Sequence, residues 1–351
     1  MRHWIGLLSV FALTACGGAG AGDRGVDPSG ESWRASASLD ALRTASCPEG
    51  VDYVRAPEID LSITPLDMSG LEPGKHLVGR TTVVGGWELT STDARFGGLS
   101  GLAAYSSGNL LAVSDQGAFV WLTIKDGAPT KAHLSPMLNA SGAEIENKTR
   151  ADAEGITLID GLALVSFERE HRIEAFDLEG CGASARAAPV MDLPAHPRGL
   201  LAPMESNGGA EAIAYSASQD ITFVGVETTS ERGQPLMRLD SAGTMTRQVH
   251  LDAPREYTLT GLDAPSYYPY ALFRHYSPNT GNKNIIAYVD GTATPRYGLF
   301  DVVRLDPSVP VDNFEGIAVQ DLGDGVRRVW IVSDDNFSET QRTLLMAFDL
   351  T

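Results

Sequence analysis

The chain has 351 residues, a formal net charge of −18 and three cysteines. An excess of negative charge this large repels phosphate backbones and argues against nucleic acid as a partner. Beyond the N-terminus no apolar run reaches the roughly 20 residues of a membrane span.

Arg2 and His3 give a short positive start, and residues 4–13 are apolar but too few to cross a bilayer. Leu13-Thr14-Ala15-Cys16 has the form of a bacterial lipobox. Residues 1–15 are expected to be a lipoprotein signal peptide and Cys16 the acylated (palmitate-bearing) residue. An ordinary signal peptide with an incidental cysteine is the alternative. Gly17 follows Cys16 where an aspartate would favour inner-membrane retention, so a lipid anchor in the outer membrane facing the periplasm is expected.

Residues 16–50, rich in Gly, Ala, Ser and Asp, read as the lipidated cysteine and a flexible tether. Residues 51–351 read as the globular domain. Cys47 and Cys181 form an even pair in an oxidising compartment, which predicts a disulfide; two separate thiols are the alternative.

A two-part phrase then recurs along the chain. Gly98-Leu99-Ser100-Gly101-Leu102 leads to Ala112-Val113-Ser114-Asp115, and Ala153-Glu154-Gly155-Ile156 leads to Leu164-Val165-Ser166-Phe167-Glu168. Asn207-Gly208-Gly209-Ala210-Glu211-Ala212-Ile213 leads to Phe223-Val224-Gly225-Val226-Glu227. Leu259-Thr260-Gly261-Leu262 leads to Ala271-Leu272-Phe273-Arg274. Asn313-Phe314-Glu315-Gly316-Ile317 leads to Val332-Ser333-Asp334-Asp335. Repetition at this spacing marks a repeat architecture. The apolar runs are short and bounded by turn residues, including Asp126-Gly127, Asp160-Gly161, Asp290-Gly291 and Asp324-Gly325, so they read as strands joined by hairpins. Third strands are expected at residues 119–125, 172–178 and 343–350.

Strand-rich units arranged radially make a β-propeller, here all-β with five recognisable blades and room for a sixth in residues 51–80. The last unit ends after three strands. Its fourth is expected from residues 82–89, which closes the ring and removes an exposed edge. A β-sandwich is the plainer alternative, but it leaves the periodic phrase unexplained.

On a propeller the phrase becomes a statement about position. Ser100, Glu154, Glu211, Thr260 and Glu315 should ring the axis, with Asp115, Glu168, Glu227, Arg274 and Asp334 at the second-strand ends. Converging carboxylates repel one another and favour a cation, and oxygen-only ligands suit Ca²⁺. The plain alternative is that each acid accepts backbone N–H bonds and holds adjacent blades together. Arg169, Arg198, Arg274 and His275 are the nearest cationic groups. No zinc spacing, Walker loop or dinucleotide fingerprint is present, and Leu102 stands where Gly-x-Ser-x-Gly needs glycine.

At these residues the chain resembles the bacterial phytase-like proteins, described as having esterase-like activity of phytase. The resemblance rests on Arg95-Phe96-Gly97-Gly98-Leu99-Ser100-Gly101-Leu102, on Asp152-Ala153-Glu154-Gly155-Ile156 and on residues 207–212. It is strongest at Asp312-Asn313-Phe314-Glu315-Gly316-Ile317-Ala318 and Val332-Ser333-Asp334-Asp335-Asn336-Phe337-Ser338, and it spans roughly residues 55–351. It implies an extracytoplasmic propeller and phosphoester or ester hydrolysis. The fourth unit departs from the pattern: the family tends to carry a Glu-Arg-Arg-Phe-like strand end, and this chain has Phe273-Arg274-His275-Tyr276-Ser277.

The expected function is that of a lipid-anchored, calcium-assisted phosphoester hydrolase. In this reading Glu154, Glu211, Glu315, Arg169 and Arg274 are catalytic, and Asp115, Glu168, Glu227 and Asp334 hold metal. The substrate is a phosphorylated small molecule, and the membrane is reached through Cys16. A non-catalytic binding propeller at the outer membrane is the alternative, and a carboxylic esterase a third.

Overall fold

The computed structural model describes residues 34–105, 108–194, 204–206, 208–227, 233–239, 245–291 and 296–351. Five antiparallel units surround one axis, each with its first strand innermost. The first comprises β4 (Leu99–Tyr105), β5 (Asn109–Ser114), β6 (Ala118–Lys125) and β7 (Ala128–Pro136). It is preceded in the chain by β1 (Glu58–Ile59), β2 (Ser62–Pro65) and β3 (Thr82–Thr90). The second comprises β8 (Ala153–Ile159), β9 (Leu162–Phe167), β10 (Arg172–Asp177) and β11 (Ala188–Asp192). The third comprises β12 (Ala212–Ser216), β13 (Ile221–Gly225), β14 (Gln234–Leu239) and β15 (Met245–Leu251). The fourth comprises β16 (Thr258–Asp263), β17 (Tyr270–Ser277), β18 (Gly281–Asp290) and β19 (Arg296–Leu305). The fifth comprises β20 (Phe314–Gly323), β21 (Val326–Ser333) and β22 (Leu344–Leu350).

The inner strands β4, β8, β12, β16 and β20 contact one another in a closed circuit, so the chain is a five-bladed β-propeller. The expected closing strand is present: β3 pairs with β22, Glu88 opposite Leu344 and Trp87 opposite Leu345. There is no sixth blade in residues 51–80. Instead β1 adds to the edge of β7 and β2 to the edge of β3. Two and four residues are too few to build a sheet, but they do cover two blade edges.

Burial explains why the strands read as apolar runs rather than alternating ones. Both faces of each blade pack against a neighbour, and five apolar clusters fill the five seams. Every residue of β9 and β10 is buried. At the hairpins, Asp126-Gly127, Asp160-Gly161 and Asp324-Gly325 take positive φ at both positions, as type I′ turns require. Asp290 does not, and it simply ends β18.

The N-terminal boundary differs from the expectation. Residues 35–46 are not a tether but fold as a 3₁₀ turn (Ala35–Ala37) and helix α1 (Leu39–Ser46). Ala35 and Leu42 bury into the seam between the second and third blades. Arg43 pairs with Asp177, and Ser36 donates to Asp220 over 2.6 Å. Cys47 and Cys181 form the expected disulfide, with Cα atoms 5.7 Å apart. Buried Ala35 and Leu42, partly buried Leu39, these polar contacts and the disulfide together hold the segment against the blades. Residues 1–15 and Cys16 lie outside the described residues, as do Arg198 and Asn207. Among the described residues no helix is long and apolar enough to cross a membrane.

Candidate active site

The glutamate and the glycine of the repeated phrase have separate jobs. In four blades the first-strand register slips by one residue at the phrase: Leu99 to Gly101, Ala153 to Gly155, Leu259 to Gly261 and Phe314 to Gly316. The unpaired bulge residues are Ser100, Glu154, Thr260 and Glu315. A bulge turns a side chain out of the ladder, here toward the axis. Glu211 reaches the same ring from the position just before β12. All five line one narrow waist of the channel, whose free volume of ≈ 10 Å³ is about that of a single water.

The glycine that follows lets the inner strands meet. A Cβ on Gly155 would stand 3.0 Å from the Ile213 nitrogen of the next blade, and one on Gly261 2.5 Å from the Glu315 carbonyl oxygen. The third blade carries Ala212 there instead, and the space comes from Gly225, across the pair on β13.

Around the ring stands a second tier. The backbone N–H groups of Asp115, Glu168, Glu227 and Asp334 donate to the carbonyls of Gly98, Asp152, Gly209 and Asn313, at 2.9, 2.8, 3.2 and 3.0 Å. This shared bond places the four acids equivalently at one mouth of the channel, as expected. Arg274 occupies the fourth-blade place, opposite Thr258.

Among the described residues Lys148, Arg274 and Arg169 partly neutralise the mouth. Lys148, on the short helix α2 (Lys148–Ala151), donates to the Asp115 carboxylate at 2.6 Å, to the Asp115 carbonyl at 2.9 Å and to the Asp152 carboxylate. Arg274 binds Glu315 at 2.9 Å, Glu227 at 3.4 Å and the side-chain oxygen of Asn313. Arg169 pairs with the other oxygen of Asp152 and holds a left-handed φ of 56° in doing so, a conformation a side chain adopts only at a cost.

The sector of the second and third blades keeps the most acid: there Lys148 and Arg169 pair with Asp152, and among the described residues no cation pairs with Glu154, Glu168 or Glu211. Asp152, Glu154 and Glu168 each offer an oxygen within 4.8 Å of the others. Burial pushes the Glu154 carboxyl well above the usual carboxylate range, and the charges of Glu315, Glu168 and Asp152 push the same way. Burial and then Glu154 and Glu168 do the same to Glu211. Glu315 is raised to about 7 by burial, against the pull of Arg274. Asp334 is raised to about 8 by burial and by Glu315. Burial also raises Asp115, while Lys148 opposes it.

The expected residues thus converge, but in altered groupings. Glu154, Glu211 and Glu315 share the ring. Of the expected metal ligands, Glu168 belongs to the three-carboxylate group, whereas Asp115 is bound by Lys148 and Glu227 by Arg274. Glu168 and Asp334 also accept backbone N–H bonds, from Gly209 at 2.9 Å and Asn336 at 2.6 Å, so they tie loops as well as line the mouth. Arg169 and Arg274 sit at the mouth in ion pairs. His275 points elsewhere, Nδ1 against the Glu256 carbonyl at 2.9 Å. Sequence reasoning missed Lys148 and the side-chain roles of Asp152 and Asn313. Lys148 lies outside every repeat, so nothing marked it. Asp152 and Asn313 stand at matching places in their phrases, and that parallel was the available signal.

This architecture defines a five-bladed β-propeller whose channel opens in an acidic mouth. The chain belongs to the phytase-like family, described by esterase-like activity of phytase, whose model matches residues 94–337. A search of curated proteins finds no match. Among solved structures, the PQQ-bound aldose sugar dehydrogenase of Streptomyces coelicolor is 12% identical with a TM-score of 0.40, over 84% of this chain and 100% of that one. An endo-arabinanase of Bacillus licheniformis is 12% identical with a TM-score of 0.42, over 72% of this chain and 94% of that one. The PQQ domain of a pyranose dehydrogenase of Coprinopsis cinerea is 9% identical with a TM-score of 0.42, over 85% and 99%. Likeness at this level says nothing of this chain's chemistry.

Proposed function

We propose that this protein is a divalent-cation-assisted phosphoester hydrolase working at the acidic mouth. The observation that carries the reading is the close group of Asp152, Glu154 and Glu168 beside Glu211, in which Lys148 and Arg169 pair with Asp152 and, among the described residues, no cation pairs with Glu154 or Glu168. Two oxygens on one Ca²⁺ at 2.3–2.6 Å lie at most about 5 Å apart. The 4.8 Å spread of this group fits that limit, and an oxygen-only set suits a hard cation. A bound divalent cation supplies positive charge for phosphoryl oxygens and for water at a site otherwise hostile to anions.

The chain's own residues supply proton handling. Glu315, near half-protonation at neutral pH, can accept a proton from water. Asp334, which keeps its proton to about pH 8, can donate to a leaving oxygen. Arg274 orients Glu315 and Asn313, and Arg169 orients Asp152; both are positioning residues in this scheme. The test is hydrolysis of 4-nitrophenyl phosphate and of inositol hexakisphosphate with calcium and with chelator. Calcium-dependent turnover that Glu315→Gln abolishes is expected; no turnover in either condition refutes the reading.

One observation favours a second reading, a non-catalytic binding propeller. The guanidinium groups of Arg169 and Arg274 are both held by carboxylates, so neither stands open toward a phosphate. That reading predicts calcium binding without hydrolysis. In either case we infer a lipid-anchored envelope protein acylated at Cys16 and facing the periplasm, from the lipobox and from a disulfide suited to an oxidising compartment.

A further inference from the structure

Beside the mouth, over the fourth and fifth blades, lies an open cleft of ≈ 820 Å³, within the range of about 300–1,000 Å³ usual for small-molecule sites. Glu227, Arg274 and Asn313 form the wall it shares with the mouth. Away from that wall the lining changes character. Asn282, Asn336 and Gln341 face it, and among the described residues no hydrogen bond engages their side-chain amides. Tyr276 stands at its rim, 63% exposed and paired across the β17–β18 hairpin with Asn282.

The charges that line the cleft disfavour an anionic occupant. Glu227, Glu256 and Asp312 contribute carboxylates, of which Asp312 is paired with Arg342 at 3.4 Å. Arg274, the guanidinium in the wall, is already bound by Glu227 and Glu315. An inositol polyphosphate would meet more negative charge than positive here. Amides offer two donors and two acceptors each, which matches vicinal hydroxyls. An exposed aromatic face offers an apolar platform for C–H bonds.

We infer that this cleft is a carbohydrate subsite that takes an uncharged sugar ring, with Tyr276 as the platform and Asn282, Asn336 and Gln341 as hydroxyl partners. The inference rests on the hydrolase reading only for the sugar's role, as the part of the substrate that does not react. Sugar binding itself does not require turnover.

The experiment is calorimetric titration of the intact protein, in chelator, with maltose, cellobiose and diacetylchitobiose, and separately with inositol hexakisphosphate. At least one sugar should bind saturably. Tyr276→Ala and Gln341→Ala should each weaken it by about tenfold, with an unchanged melting temperature and an unchanged response to calcium. Inositol hexakisphosphate should not bind in chelator. The inference is overturned if no sugar binds, if both variants bind like the parent, or if inositol hexakisphosphate competes with the sugar. Parallel turnover of 4-nitrophenyl phosphate separates the two readings. Turnover without sugar binding removes the subsite alone, and sugar binding without turnover removes the hydrolase and leaves the subsite.

Discussion

Arg274 Nη1 donates to Glu315 Oε1 across 2.9 Å, joining the second strand of the fourth blade to the bulge residue of the fifth. The other four blades carry an acid at the place of Arg274. The exception therefore puts a positive charge into a second tier that would otherwise be entirely acidic, and it holds Glu227 at 3.4 Å as well.

Removing that guanidinium strands two carboxylates. Arg274→Met should lower stability at pH 9 by about 2–3 kcal/mol, less than the 3–5 of a fully buried pair because the side chain is 23% exposed. At pH 5 the loss should shrink, since Glu315 is then protonated. Urea unfolding at the two pH values measures this; equal losses would mean that Arg274 acts by packing.

Raised carboxyl pKa values fix the sign of the pH dependence. The folded form binds these protons more tightly than the unfolded chain, whose carboxylates titrate near about 4. The stability this linkage gives is full below that range. It is lost as pH rises through about 7 for Glu315 and about 8 for Asp334. The cation-free protein should therefore melt at a lower temperature at pH 8.5 than at pH 5.5. A flat or rising profile in chelator would contradict the arrangement.

Calcium should reverse that loss. At a hundredfold excess over its Kd, a ligand of the folded state alone adds about 2.7 kcal/mol. The double variant Glu154→Gln and Glu168→Gln should melt higher than the parent in chelator, because it removes mutual repulsion, and should show no calcium shift. Differential scanning calorimetry with and without calcium reads both effects.

The glycine after each bulge is a packing requirement. Gly261→Ala places a Cβ 2.5 Å from a backbone oxygen that cannot move without shifting the fifth blade. A loss of about 1–3 kcal/mol is expected, as for overpacking elsewhere. Thermal melting of the variant checks it.

The disulfide should matter for the arm more than for the ring. Cys47 and Cys181 are 134 residues apart, and a native bridge of this kind typically contributes about 2–5 kcal/mol. In Cys47→Ser with Cys181→Ser, proteolysis should cut within α1 before the blades. Simultaneous cleavage throughout would show that the arm and ring unfold as one unit.

Much of this molecule was legible along the chain. The repeated phrase, the Asp-Gly hairpins and a last unit short of one strand are local signals, and they determined a propeller closed by residues near Thr82. They also placed Glu154, Glu211 and Glu315 on one ring, because equivalent repeats must occupy equivalent positions. Tertiary structure decided how those positions are charged. Lys148 comes from a connecting helix and Asn313 from a loop, and which carboxylate each one meets depends on distances across blades that no local pattern encodes. The ordering of residues 35–46 was equally out of reach, because Ala35 and Leu42 are too few to form a pattern and gain their burial only when two finished blades provide a seam. So repetition in the sequence set the geometry of the ring, and contacts between distant segments set its electrostatics, which is where its chemistry lies.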